Sequence, residues 1–188
     1  MKRLLLYLMF LMLSLLIYLS GQGQNTCGGS YRWNVKTMTD KDNKQVTLTA
    51  QPAEVKDLIK IPRPINIDHA TSSRIIGEMK TVYIRGTIIY WMIEADKDIH
   101  IAFHSLDGKF SIVCEIPDPT CLEIKNSLVL NQIKIARQEF LKFKSTNHKM
   151  MAGTYEITGI LFYDKPHHAI GANDKHLELH PVIQFKKL

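Results

Sequence analysis

Two alternating runs flank Asp107-Gly108, and the hairpin they imply decides which side chains share a face. Ile99 to Ser105 and Phe110 to Ile116 alternate apolar with polar residues, and Asp-Gly between such runs signals a two-residue turn with positive φ at both positions. With Asp107 and Gly108 as the loop, Leu106 faces Lys109, Ile99 faces Ile116, Ile101 faces Cys114 and Phe103 faces Ile112. Those side chains make an apolar face, because strand neighbours alternate sides. On the other face His100 falls opposite Glu115 and His104 opposite Ser111, with Asp98 two positions before His100.

The hairpin sits within a longer strand pattern. Thr81 to Glu94 is rich in β-branched and aromatic residues, with Gly86 where a bulge or bend would sit. Pro117 and Pro119 end the strand that closes at Ile116. Ser127 can cap a helix from Leu128 to about Phe143, since Leu130, Ile133, Ala136, Arg137 and Phe140 follow helical spacing. Thr154 to Tyr163 and Leu177 to Phe185 read as two further strands. The order β-β-β-α-β-β predicts a mainly β fold with one helix, an OB-fold-like five-stranded barrel over residues 79–188. A split sheet with a packed helix is the alternative.

Residues 24–78 have weak periodicity. Trp33 to Met38 and Gln45 to Thr49 read as short extended pieces, and Ala53 to Ile59 as one or two helical turns. Pro62 and Pro64 stop anything regular beyond them. This stretch is expected to be an arm packed on the main domain.

Residues 1–23 have the layout of a secretory signal. Lys2 and Arg3 precede an apolar run from Leu4 to Leu19, and Gly21 and Gly23 suit a cut before Gln24. The run falls short of the ~20 residues of a spanning helix, so cleavage is expected over retention as an anchor. The residues before Cys27 do not suit lipidation. Export to the periplasm or beyond is the expected location, with no later run long enough to cross a membrane. Losing Lys2 and Arg3 lowers the formal charge from +6 to +4. That surplus is modest, and its dispersal argues against nucleic acid as a partner. An oxidising compartment permits disulfides among Cys27, Cys114 and Cys121. Cys114 belongs to the apolar face, so Cys27–Cys121 is favoured over Cys114–Cys121.

Imidazoles and carboxylates gather on the polar side. In the last strand Glu178, His180 and Gln184 alternate with Leu177, Leu179 and Ile183, and the loop before it holds Asp164, His167, His168, Asn173 and His176. An OB topology makes the third and fifth strands neighbours, which brings Glu115 toward Glu178 or His180. The candidate binding set is therefore Asp98, His100, Glu115, Asp164, His167, His168, Glu178 and His180. Of these, His100, Glu115, Glu178 and His180 are candidate ligands for a divalent metal such as zinc, which takes imidazole and carboxylate donors. A carboxylate that orients an imidazole also makes a general base. The plain alternative is cross-strand surface pairing, worth up to ~1 kcal/mol. His100 and His104 lie ~13 Å apart at strand rise and cannot share one ion. His100 and His104 also lack the zinc-protease pattern of a glutamate after the first histidine on a helix. No Gly-rich phosphate loop, nucleophile elbow or CxxC occurs. Arg137 reads as a tie to a strand end or carboxylate, and Tyr90 and Trp91 as core aromatics.

Several motifs together resemble a family of small exported bacterial proteins without an assigned activity. They are Val35 to Asp40, Asp98-Ile99-His100, Glu115-Ile116-Pro117-Asp118-Pro119-Thr120-Cys121, Ala136-Arg137, Thr158 to Asp164 with His167, and Glu178-Leu179-His180-Pro181. Where that family tends to read Asp-Gly-Asp-Tyr-His, this chain has Asp96-Lys97-Asp98-Ile99-His100, which argues against a tight turn there. The strand order is also similar to that of the nuclease OB-fold, a topological analogy only, since its arginine pair and calcium carboxylates have no counterparts here. The reading is an exported OB-like binding domain of open ligand and oligomeric state. Its alternatives are a metal-dependent hydrolase, nuclease-like or phosphodiesterase, using the same residues, and a single-stranded nucleic-acid binder.

Overall fold

The alternation around Asp107-Gly108 becomes the middle of a six-stranded sheet. The computed structural model describes residues 27–29, 31–65, 67, 73–123, 127–144 and 149–188; the expected signal segment lies outside them. In chain order the elements are α1 (Trp33–Lys36), β1 (Thr47–Pro52), α2 (Val55–Leu58), β2 (Lys80–Ile93), β3 (Ile99–Ser105), β4 (Ser111–Ile116), α3 (Ser127–Phe143), β5 (Lys149–Tyr163) and β6 (Leu177–Lys187). The fold is mainly β. β2, β3 and β4 pair antiparallel in sequence. β6 then pairs parallel with β4 and antiparallel with β5, and β5 pairs antiparallel with β2. The pairings thus run from β2 through β3, β4, β6 and β5 back to β2.

The sixth strand comes from the arm and departs from the five expected. β1 adds in parallel to the first half of β2, with Gln51 beside Val82. Trp33–Lys36, expected to be extended, is instead a single helical turn, and Val55–Leu58 is the helical turn expected there.

His100 lies opposite Glu115 and Ile101 opposite Cys114, the register read from the sequence. The turn itself differs. Only Gly108 has positive φ, at 69°. The loop is four residues long, closed by Ser105 N–H to Phe110 O at 2.9 Å, and the Asp107 carboxylate accepts from Ser105 Oγ and Lys109 N–H. Its midpoint still falls between Asp107 and Gly108, so every pairing beyond it is unchanged.

Gly86 sits where β2 shifts register against β5. A Cβ there would lie 1.9 Å from the His104 carbonyl oxygen, so only glycine permits this approach of β2 to β3. The core lies between the apolar sheet face and α3. Val129, Ile133, Ala136 and Phe140 are buried, with Phe140 edge-on to Trp91 at 5.4 Å and to Phe185 at 5.3 Å. Arg137 ties strand ends as expected, donating to Ile116 O at 3.0 Å and Lys97 O at 2.8 Å.

The arm is anchored by buried charge. Arg32 meets the Glu78 carboxylate through Nη1 and Nη2, each at 2.6 Å, and Arg74 pairs with Asp40 at 3.0 Å. Cys27 and Cys121 form a disulfide across 94 residues, and Cys114 is a buried free thiol.

Candidate functional site

The polar side of the hairpin is covered. Asp98 and His180 are 0 % exposed, Glu178 1 %, His100 2 % and Glu115 3 %, where a surface pair would be solvated. Two segments make the cover. The arm lays Lys36 of α1 over the strands, and the loop between β5 and β6 brings the Ile170 carbonyl onto His100.

Strand pairing places the side chains. β3 and β4 put His100 beside Glu115. The parallel pairing of β4 with β6 sets Cys114 against Leu179, so the next residues, Glu115 and His180, meet on the other face. Glu115 Oε2 lies 2.7 Å from His180 Nδ1, and His180 Nε2 lies 3.6 Å from Asp98 Oδ2. Despite the short separation, the 2.7 Å contact is not aligned as a hydrogen bond, and neither ring nitrogen of His180 has a hydrogen-bond partner among the described residues. The other glutamate oxygen, Oε1, lies 3.3 Å from His100 Nδ1, and Glu94 Oε1 approaches the same nitrogen at 3.5 Å. Lys36 Nζ bridges Glu115 and Asp164, 3.6 Å from each, and lies over the Phe162 ring.

Three groups of metal-capable donors result: Glu94, His100 and Glu115; Asp98, Glu115 and His180, which shares Glu115 with the first; and Asp164, His167 and Glu178. The expected quartet of His100, Glu115, Glu178 and His180 is thus divided, with Glu178 grouped toward Asp164. His167 is half-buried, its Nδ1 donating to Lys165 O at 2.8 Å, and His168 is exposed. Asn173 braces the loop through its contacts with Lys175 N, Leu177 N and Leu177 O.

Burial and charge divide the acids. Burial pushes Glu178 well above the usual carboxylate range, with Glu115 and Asp164 adding repulsion. Burial also lifts Asp98 to about 6 against the pull of His180, and raises Glu94, where Glu115 adds to the effect. Glu115 goes the other way. Burial opposes its charge most strongly, but Lys36, His100 and His180 together outweigh burial and hold it well below the ordinary range. Lys36 is pulled down by burial, yet Glu115, Asp164, Glu178 and Asp98 jointly keep it above its usual value. His100 is likewise raised, its contact with Glu115 overcoming burial.

A cleft of about 340 Å³ opens on this cluster, lined by Tyr31, Lys36, Glu94, Glu115, Asp164 and His167 among others. Clefts of about 490 Å³ lie along Met38–Lys44 and Pro52–Ile61, but neither gathers imidazoles and buried carboxylates. Chemistry, not size, singles out the smaller one. Lys36 and Glu94 were missed in the sequence reading. Glu94 carries a faint signal, since it ends the β2 pattern four residues before Asp98, and a tight turn there returns it to His100. Lys97 makes that turn despite lacking glycine's freedom, at φ 71°, with Lys97 N–H bonded to Glu94 O at 3.0 Å. Lys36 carries none, because its place depends on how the arm docks. No family model, curated protein or solved structure matches the chain.

Proposed function

We propose that this chain is an exported, OB-like binding domain whose ligand is a cation taken up by the carboxylate and imidazole cluster. One observation carries the reading. Asp98 Oδ2, Asp164 Oδ1, both oxygens of Glu178 and both ring nitrogens of His180 are buried without a hydrogen-bond partner among the described residues, and Asp164 lines the cleft. Leaving such groups unpaired costs ~1–3 kcal/mol each, and a cation relieves several at once. The same cluster of acids repels phosphate and so disfavours a polynucleotide ligand. Support for the OB-like barrel comes from the closed circuit of pairings over β2–β6, with α3 between the third and fourth of those strands. Support for export comes from the N-terminal pattern and from the Cys27–Cys121 disulfide.

Thermal unfolding of the purified, chelator-treated protein against a panel of divalent metals and organic diamines tests this. A cation at about a hundred times its dissociation constant adds ~2.7 kcal/mol, which raises the melting temperature by ~5–10 °C in a domain of this size. Sodium chloride of equal ionic strength and inorganic phosphate should not. A panel in which no cation raises the midpoint defeats the reading. The second reading, a metal-dependent hydrolase, is favoured by His180 standing 3.6 Å from Asp98 and 2.7 Å from Glu115, an imidazole between two carboxylates within reach for proton transfer. It requires metal-dependent turnover of a phosphodiester or ester.

A further inference from the structure

We infer that Asp164 and Glu178 hold one oxygen-seeking divalent cation, of the magnesium, manganese and calcium class, beside the cleft; this rests on the cation reading above and names its site and its ligand. Glu178 makes the case. It is 1 % exposed, and neither of its carboxylate oxygens has a hydrogen-bond partner among the described residues. The sheet explains why. Glu178 pairs with Val113 of β4 on one side and Phe162 of β5 on the other, both fully buried and without a side-chain donor. Asp164 follows Phe162 by two residues, and its N–H still bonds to His176 O at 2.9 Å, so its side chain returns to the same face. It is 5 % exposed, and its Oδ1 is also buried without a hydrogen bond. Asp164, Glu178 and His167 offer donor atoms within 4.8 Å of one another. Two oxygens no farther apart than that share one ion at bonds of ~2.4 Å or less, the reach of a hard divalent cation.

The surroundings fit the same occupant. Lys36 Nζ stands 3.6 Å from Asp164 and 3.6 Å from Glu115, so this ammonium is shared between two acids, and Glu178 is not one of them. Asp164 and His167 line the cleft, so an ion reaches the pair from solvent and completes its shell with water, as hard cations do. His167 commits Nδ1 to Lys165 O, so the donors the site requires are carboxylate oxygens, which suit magnesium, manganese and calcium better than zinc. The other two groups fit less well. His100 has both ring nitrogens hydrogen-bonded, to Glu115 and to Ile170 O, and asks for no further partner. The His180 ring fills the space between Asp98 and Glu115, 3.6 and 2.7 Å from them, where an ion would have to sit.

Titration of the chelator-treated full protein with manganese(II), followed by loss of the free ion's electron paramagnetic resonance signal, tests the assignment on wild type, Glu178→Gln, Asp164→Asn and Glu94→Gln. Wild type should bind one ion per chain, displaced by magnesium or calcium. Glu178→Gln keeps the shape and adds an amide that can donate to Asp164. Its metal-free melting temperature should therefore stay within ~4 °C of wild type while manganese affinity falls more than ~100-fold, beyond the ~10–100-fold typical of changes behind a ligand. Should Glu178→Gln fail to fold, Asp164→Asn at the cleft wall gives the same reading. Glu94→Gln removes only a neighbouring charge and should stay within ~5-fold of wild type. If Glu178→Gln and Asp164→Asn keep manganese, whether or not Glu94→Gln loses it, the ion sits elsewhere; this inference falls and the cation reading stands. If zinc or a diamine raises the melting temperature while manganese, magnesium and calcium do not bind, the class is wrong and again only this inference falls. If no cation binds, a proton shared between Asp164 and Glu178 accounts for the pair and both readings fall.

Discussion

Glu78→Gln is the most direct perturbation of the anchor that holds the arm over the site. The Glu78 carboxylate is fully buried and accepts four hydrogen bonds, two on each oxygen. Oε1 takes Arg32 Nη1 at 2.6 Å and Tyr163 N–H at 3.0 Å; Oε2 takes Arg32 Nη2 at 2.6 Å and Ile75 N–H at 3.1 Å. Glutamine keeps one oxygen and turns the other into a donor. Whichever way the amide lies, two N–H groups then face an NH₂ and lose their acceptor. Two charge-assisted bonds at ~1.5–3 kcal/mol each give a loss of ~3–6 kcal/mol. The independent expectation for breaking one side of a buried ion pair, ~3–5 kcal/mol, agrees.

For a chain of this size each kcal/mol lowers the melting temperature by ~2–4 °C, so the shift should be roughly 6–24 °C, read by calorimetry and by the urea midpoint. A companion variant, Arg32→Met with Glu78→Leu, removes both charges and should recover at least half of the loss, since no buried charge is then left uncompensated. A loss below ~1 kcal/mol in Glu78→Gln would refute the reasoning, as would a double variant no more stable than the single one.

Three other changes follow from the same structure. Lys97→Gly relieves a left-handed residue at φ 71° and should raise stability by ~0.5–1 kcal/mol after the greater entropy of glycine is counted; a lowered urea midpoint would contradict this. Cys27→Ser opens the loop of 94 residues closed by the disulfide and should cost ~4 kcal/mol, checked by urea unfolding with and without reductant. Asp118 is buried enough to be pushed up, but Thr120 N–H, Thr120 Oγ1 and Arg137 together hold its pKa below the usual value. The native state therefore binds fewer protons than the unfolded chain between the two pKa values, so the stability is present above ~pH 4 and lost as pH falls through the folded pKa. The midpoint difference between wild type and Asp118→Asn should accordingly shrink from pH 7 to pH 2.5.

The middle of the fold was legible because its signals are local and redundant. Alternation over β3 and β4 carries one face to the core, and a one-residue slip would have moved Ile101 off that face and His100 onto it. The turn type was misread without harm, since a two-residue and a four-residue loop with the same midpoint give the same pairs. β1 was legible only as a short extended piece over Gln45 to Thr49, not as a strand of the main sheet. Thr47–Pro52 alternates only weakly in burial, and a parallel partner 30 residues away leaves no turn signal between them. α1 was not legible either, being four residues long and stabilised by contacts and not by propensity.

The candidate site divides along the same line. His100 opposite Glu115 follows from hairpin register, and His180 beside Glu115 follows from strand order; both are properties of the sheet. That the face is covered is a property of the arm, set by Arg32 and Glu78, which lie 46 residues apart and carry no periodic signal. The cover changes the chemistry more than the register does. An exposed His–Glu pair would be a minor tie between strands, whereas the buried one raises Glu178 and Asp98, holds Glu115 ionised and draws in Lys36 as a counter-ion. Glu115 then uses its two oxygens separately, Oε2 toward Lys36 and His180 and Oε1 toward His100. Fixing the arm therefore fixes the direction in which Glu115 points. A loosened arm withdraws Lys36 and frees Glu115 to turn, so the integrity of the Arg32–Glu78 anchor bears on the cation site although neither residue touches it.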